Sequence, residues 1–148
     1  MSDARYAVGI DLGTTHCVMA AVDLDASDRD EVVQWTVPIP QLTAPGAVED
    51  RPMLPSFLYL PHPDELRPDD RTLPWGEQPP FVVGELARTM GGRTPIRLVA
   101  SAKSWLCHPG VDRRAAILPV EAPEEVARVS PLQASVRYLE HLRAAWDQ

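Results

Sequence analysis

The chain has 148 residues, a net charge of −7 and two cysteines that lie 90 positions apart. This length suits one domain or part of a larger one, and 45% hydrophobic residues exclude wholesale disorder. The apolar runs are shorter than the roughly 20 residues of a membrane span, and the acidic charge argues against nucleic acid as a partner. With no signal-peptide pattern and no disulfide framework, we expect a cytoplasmic protein that binds neither membrane nor nucleic acid.

The first strands are predicted as a β-hairpin. Tyr6–Leu12 and His16–Leu24 are short apolar strands, and residues 13–15 form a tight turn between them. After an acidic turn, residues 31–37 suggest a third strand. The three strands are expected to form a meander, because consecutive strands with short links usually pair.

The segment from Pro38 to Pro80 holds 11 of the 16 prolines in 43 residues. Proline excludes long helices here and restricts central strands. A disordered linker is one interpretation of this composition. The apolar segment 54–60 and Trp75 favour an ordered, loop-rich lobe with at least one edge strand.

Short elements are predicted next. Residues 81–84 favour a strand, and residues 85–90 favour a short helix that ends at Gly91 and Gly92. Residues 97–106 have helical spacing of apolar side chains and predict a second helix.

The last segment carries a helix start signal. Ser130 is a candidate N-cap, Pro131 suits the first helical position, and Gln133 completes a capping box. The apolar residues at helical spacing are Leu132, Val136, Leu139, Leu142 and Trp146. We expect a helix over 131–147 that packs this stripe against a sheet.

The sequence Asp11-Leu12-Gly13-Thr14-Thr15 is the sharpest chemical feature. Gly13 allows an unusual backbone torsion and a close approach to a ligand. Successive backbone N–H groups and the hydroxyls of Thr14 and Thr15 suit phosphate oxygens, and the Asp11 carboxylate suits Mg²⁺ or its waters. The alternative is an ordinary Asp-x-Gly turn without a ligand.

Lys103 is the only lysine beside 13 arginines. A compact ammonium differs chemically from a planar guanidinium, so this position is a candidate functional residue. A plain surface lysine on a helix is the alternative.

The string VGIDLGTT at residues 8–15 closely resembles the first phosphate loop of the superfamily that contains actin, sugar kinases and heat-shock-chaperone ATPases. Within it, the chain is most similar to the seventy-kilodalton heat-shock chaperones of the DnaK type. Leu54-Pro55-Ser56, the Val83-Gly84 pair with Ala87, and Ala102-Lys103 resemble family segments in order and spacing. The loops between 38 and 80 are longer than in the family.

The resemblance implies an α/β, ribonuclease-H-like fold, as in actin-like ATPases. It implies a mixed sheet begun by the hairpin, with 1–42 and 129–148 as a core subdomain and 43–128 as an inserted smaller lobe. Residues 1–148 would be the N-terminal fragment of a nucleotide-binding domain. The second phosphate loop and the peptide-binding domain would lie beyond residue 148.

The resemblance also implies roles for residues and a set of ligands. Asp11 would lie under the Mg²⁺–nucleotide as a metal-binding and catalytic residue, and Lys103 would reach the γ-phosphate and the attacking water as a catalytic residue. The residues that would bind the cofactor are Gly13, Thr14, Thr15 and His16. The cofactors would be ATP and Mg²⁺. The partners of the full-length protein would be unfolded client polypeptides and co-chaperones.

Two positions depart from the family pattern and suggest a divergent branch. His16 stands where the family usually has Asn or Tyr, and Ser104 stands where arginine often follows the lysine. The implied function is ATP binding and hydrolysis by a chaperone. Residues 1–148 alone are expected to have weak or no activity, because the few contacts from one half of a cleft barely exceed the free-energy cost of association. The alternatives are a sugar kinase of the same superfamily, a non-enzymatic ATP-sensing module, and an orphan fragment without nucleotide function.

Two further kinds of site are disfavoured. The pairs His16-Cys17 and Cys107-His108 could share a metal, but neighbours on a strand point to opposite faces and the spacing is not of the CxxC type. A serine hydrolase is disfavoured because no GxSxG motif is present.

Overall fold

The computed structural model describes residues 3–148 and shows a mixed α/β architecture with three small sheets. The strands are β1 Tyr6–Leu12, β2 His16–Asp23, β3 Gln34–Thr36, β4 Ile39–Ala44, β5 Ala47–Arg51, β6 Leu54–Pro55, β7 Phe57–Tyr59, β8 Val82–Val83 and β9 Leu98–Ala100. The α-helices are α1 Glu85–Arg93, α2 Ala102–Leu106 and α3 Pro131–Trp146, and 3₁₀ turns cover Pro68–Arg71 and Pro95–Arg97. Every strand pair in this part of the chain is antiparallel, so the predicted mixed sheet is not present there.

The predicted hairpin and meander are confirmed in the first sheet. β1 pairs with β2 from Tyr6 opposite Asp23 to Leu12 opposite Cys17. β3 pairs with one end of β2, and β6 pairs with its other end. The pairing with β6 brings the Leu54–Pro55 segment beside the turn that joins β1 to β2.

The outer edge of β1 has no strand partner within residues 3–148. The Leu24 N–H donates to the Arg5 carbonyl at 2.8 Å, which fixes which backbone groups face β2. Because this direction alternates along an antiparallel strand, Tyr6, Val8 and Ile10 direct their N–H and C=O groups to the free edge. Their side chains are also 37–46% exposed.

The proline-rich segment is ordered, as predicted. β4 and β5 form a hairpin of their own, and β7 is the central strand of the third sheet, between β8 and β9. Proline occurs here in loops and at or beside strand ends, where a missing N–H does least damage to a ladder of hydrogen bonds.

The predicted stop of α1 at Gly91 and Gly92 is wrong, because the helix continues to Arg93. Gly91 is buried, and a Cβ built on it would collide with the side chain of Leu98. The glycine therefore allows close packing of the helix on β9 instead of ending the helix.

The predicted helix over 97–106 is wrong in its first half. Leu98–Ala100 forms β9, which pairs with β7, and α2 begins only at Ala102. Ser101 joins the two elements with a left-handed φ of 54°. Pairing with β7 has thus overridden the local helical spacing, and Lys103 lies in the first turn of α2.

The helix α3 is confirmed, together with its N-cap. The Ser130 hydroxyl accepts a hydrogen bond from the Gln133 N–H at 3.0 Å. Within residues 3–148 the structure gives no return bond from the Gln133 side chain, so the cap is simpler than the predicted capping box.

The predicted apolar stripe of α3 is wrong in three positions. Leu132, Val136 and Leu139 are exposed. The buried face includes Ala134, Ser135, Tyr138, His141, Leu142 and Ala145. Both sets have helical spacing, and the second set faces the core cluster that α3 shares with the first sheet and α2.

Two hydrophobic clusters form the core. The larger joins the first sheet, β6, β7, α2 and α3, and the second surrounds β7 and α1. None of the helices within residues 3–148 combines the length and the apolar character that crossing a membrane requires.

Candidate functional site

The turn between β1 and β2 presents unused hydrogen-bonding groups to solvent. The side chains of Asp11, Thr14 and Thr15 are at least partly exposed. Within residues 3–148, the structure gives no acceptor for the N–H groups of Thr14 and Thr15. Two free amides beside two hydroxyls are groups that can hold an anion, and the phosphate site stays a prediction.

The turn leaves no room for a side chain at position 13, so it requires glycine there. A Cβ built on Gly13 would collide with the carbonyl oxygen of His16. Its φ does not lie in the positive region, so the expected unusual torsion is not of the left-handed kind. The group that comes close to Gly13 is the His16 carbonyl of the same turn.

Ser56 is a residue of this site whose role the sequence did not indicate. Its hydroxyl donates to the Gly13 carbonyl at 2.8 Å, and its backbone N–H donates to the Thr15 carbonyl at 2.9 Å. Ser56 is only 2% exposed. It lies 43 positions from Gly13, and only the pairing of β6 with β2 brings the two together.

Cys17 lies under the turn and is fully buried. Its Sγ is 3.3 Å from the Ser56 Oγ. Burial raises the pKa of the Cys17 thiol, against the lowering effects of Ser56 and the Gly13 backbone. The charge of Asp11 also raises this pKa, and the charge of Lys103 lowers it.

Lys103 reaches this region through the third sheet. β7 follows Ser56 directly, and Phe57 lies opposite Ala100 of β9. α2 begins two residues after Ala100, with Lys103 exposed in its first turn. Lys103 is thus connected to Ser56 through one pair of strands, and within residues 3–148 the structure gives no direct contact between Lys103 and Asp11.

His16 lies at the start of β2 and is half-buried. Its Nδ1 is 3.3 Å from the Thr15 Oγ, so the imidazole lies beside the turn. The hydroxyl of Thr15 therefore has a neighbour that can accept or donate a hydrogen bond, depending on the tautomer.

The two Cys/His pairs differ in exposure. Cys17 is buried whereas Cys107 is exposed, and both are free thiols. Residues 3–148 contain no group of three or more His, Cys, Asp or Glu side chains that could hold a metal ion. The prediction for Asp11 does not need such a group, because Mg²⁺ is often held by one or two carboxylates with waters and substrate phosphates.

A large cavity of about 1070 Å³ lies elsewhere, between α3 and the loops around residues 60–81. Its lining includes Trp75, Phe81, Arg137 and His141 but none of the turn residues. The candidate site is thus an exposed turn on the surface of residues 3–148.

No protein-family model matches the chain, and no curated protein matches it.

Proposed function

We propose that this chain is the N-terminal part of an ATP-binding and ATP-hydrolysing chaperone of the DnaK type, and that residues 11–15 are its first phosphate loop. The observation that supports the proposal is the exposed turn in which the N–H groups of Thr14 and Thr15 have no acceptor within residues 3–148, next to the exposed Asp11 carboxylate. A ribonuclease-H-like half-lobe, with 43–128 as the inserted lobe, belongs to the same proposal.

The residues of the turn fit phosphate and a divalent cation. ATP and Mg²⁺ would supply the phosphates and the divalent charge when bound. The amides and hydroxyls of Thr14 and Thr15 donate to phosphate oxygens, and the Asp11 carboxylate accepts hydrogen bonds from the waters of the cation or binds it directly. The Lys103 ammonium stabilises negative charge that develops in phosphoryl transfer.

The remaining parts of the proposal concern the whole protein. Unfolded polypeptides and co-chaperones are its proposed partners, and the cytoplasm is its proposed compartment. A sugar kinase of the same superfamily and a non-enzymatic ATP-sensing module are the competing functions for the same loop.

A nuclear magnetic resonance titration of the ¹⁵N-labelled chain with Mg·ATP tests the loop. We expect the amide signals of residues 13–16 and of Lys103 to move together and to saturate only at millimolar nucleotide, because only one side of a cleft is available. Asp11→Asn should remove the dependence on Mg²⁺. Asp30→Asn is the matched control, because Asp30 is exposed and its carboxylate has no partner in the described structure.

Two results would contradict the proposal. Chemical-shift changes that are spread over the surface and leave residues 13–16 unaffected would contradict the assignment of residues 11–15 as a phosphate loop. Tight binding with turnover by residues 1–148 alone would show that the chain is not half of a cleft. Lys103→Ala should keep most of the weak binding; loss of all binding would contradict a role of Lys103 at the transferred phosphate.

A further inference from the structure

Ser56 holds the turn from below by two hydrogen bonds that it donates. Its hydroxyl bonds to the Gly13 carbonyl, and its backbone N–H bonds to the Thr15 carbonyl. These two carbonyls flank Thr14, whose N–H has no acceptor within residues 3–148. Two bonds from one buried residue therefore fix both ends of the segment that offers donors to a ligand.

The same residue begins the connection to Lys103. Phe57 follows Ser56 and lies opposite Ala100, and the Gly84 N–H donates to the Phe57 carbonyl at 3.0 Å. β9 leads within three residues to Lys103. The turn and the lysine are thus joined through Ser56 and one pair of strands.

We propose that Ser56 is a positioning residue that sets the geometry of the Gly13–Thr15 turn relative to Lys103. It does not touch the ligand, because it is buried behind the turn. The use of this geometry for Mg·ATP rests on the function proposed above, whereas the effect of Ser56 on the ligand-free turn does not.

Cys17 supports Ser56 from the other side. Its Sγ lies 3.3 Å from the Ser56 Oγ. With its proton donated to Gly13, the Ser56 oxygen can accept a bond from the Cys17 thiol. Burial raises the pKa of that thiol, which keeps the proton on sulfur.

The test compares Ser56→Ala with Ser135→Ala. Ser135 is a matched control, because its buried hydroxyl also donates to a backbone carbonyl, that of Pro131, at 3.0 Å in α3. Both variants lose one such bond. Ser135→Ala is expected to lose less thermal stability than Ser56→Ala, because alanine favours a helix and because Ser56 also contacts the Cys17 thiol. Ser56→Thr keeps a hydroxyl at position 56 and serves as the conservative variant.

Two measurements on the folded variants separate positioning from stability. In the ligand-free protein, ¹⁵N relaxation should show lower order at residues 13–15 in Ser56→Ala, with normal order in Ser135→Ala and recovery in Ser56→Thr. In the Mg·ATP titration, Ser56→Ala should weaken binding by about three- to tenfold relative to Ser135→Ala.

The outcomes are distinguishable from those for the proposed function. If the wild-type chain does not respond to Mg·ATP but Ser56→Ala loosens the turn, the nucleotide function fails and the positioning role stands. If Ser56→Ala leaves the order of residues 13–15 equal to that of Ser135→Ala, the positioning role is overturned. If Ser56→Ala does not fold, Ser56→Thr and Ser56→Cys provide the test. The order of residues 13–15 should then be higher in Ser56→Thr than in Ser56→Cys, because a thiol is a weaker hydrogen-bond donor than a hydroxyl.

Discussion

The tightest steric constraint in the candidate site lies at Gly13. A side chain there would meet a carbonyl oxygen of the backbone, which cannot rotate away as a flexible side chain would. Gly9, four positions earlier in the same hairpin, has open space where a Cβ would stand, with no atom within 4 Å. The two glycines therefore provide an internal comparison between a required and a replaceable glycine.

We expect Gly13→Ala to lower the free energy of unfolding by about 1–3 kcal/mol, as overpacking does. Gly9→Ala should be neutral or slightly stabilising, because alanine loses less backbone entropy than glycine in a strand. Urea unfolding followed by circular dichroism measures both. Equal stability of the two variants would show that the turn can relax around a Cβ.

At the element scale, α3 shows how a helix can be predicted correctly and oriented wrongly. Its bounds follow from local chemistry, because Ser130 and Pro131 mark a start that needs no knowledge of the rest of the fold. Which face is buried depends on what packs against it. Two sets of residues have suitable spacing, and only the whole fold decides which of them faces the core.

Ser130→Ala should lower the free energy of unfolding by about 1 kcal/mol, because the Gln133 N–H loses its acceptor at the helix start. Ser104→Ala is the control, since Ser104 is exposed and its hydroxyl has no partner in the described structure. Denaturant titration of both variants checks the difference. No difference between them would mean that water replaces the cap without cost.

At the scale of the whole molecule, His141 links α3 to the proline-rich region. Its Nε2 lies 2.8 Å from the Pro40 carbonyl oxygen, and its ring meets Trp75 edge to face. Burial lowers the pKa of His141, against the raising effects of the Pro40 carbonyl and the charge of Glu77. The imidazole is therefore neutral in the folded protein at a pH where the unfolded chain takes up a proton.

Because the pKa of His141 is lower in the folded state, the unfolded state binds more protons below the ordinary histidine pKa of 6.5. The free energy of unfolding should then fall as the pH drops below that value, by at most about 1.4 kcal/mol per pH unit for one proton. His141→Gln should flatten this slope, and His62→Gln, at an exposed position, should not. Urea unfolding at several pH values above about 5 checks this, since the carboxylates titrate mainly below that range. If His141→Gln leaves the slope of the free energy of unfolding against pH unchanged, His141 is not the group that causes it.

The sequence predicted features that depend on residues close together in the chain. It did not predict contacts between residues that are far apart in the chain. The β1–β2 hairpin and the N-cap of α3 each depend on neighbours in the chain. By contrast, the bond from Ser56 to Gly13 spans 43 positions, and the bond from the Glu85 N–H to the Gln41 Oε1 spans 44. The strand at 98–100 was missed for the same reason, because its partner is β7.

The free edge of β1 has a consequence for hydrogen–deuterium exchange. Ala7, Gly9 and Asp11 direct their N–H groups toward β2, whereas Val8 and Ile10 direct theirs outward. We expect slow exchange at the first three and fast exchange at the other two, which gives an alternating protection pattern along one strand. Slow exchange at all five would show that another strand covers the outer edge, so the amides of β1 report whether this sheet ends at its first strand or continues beyond it.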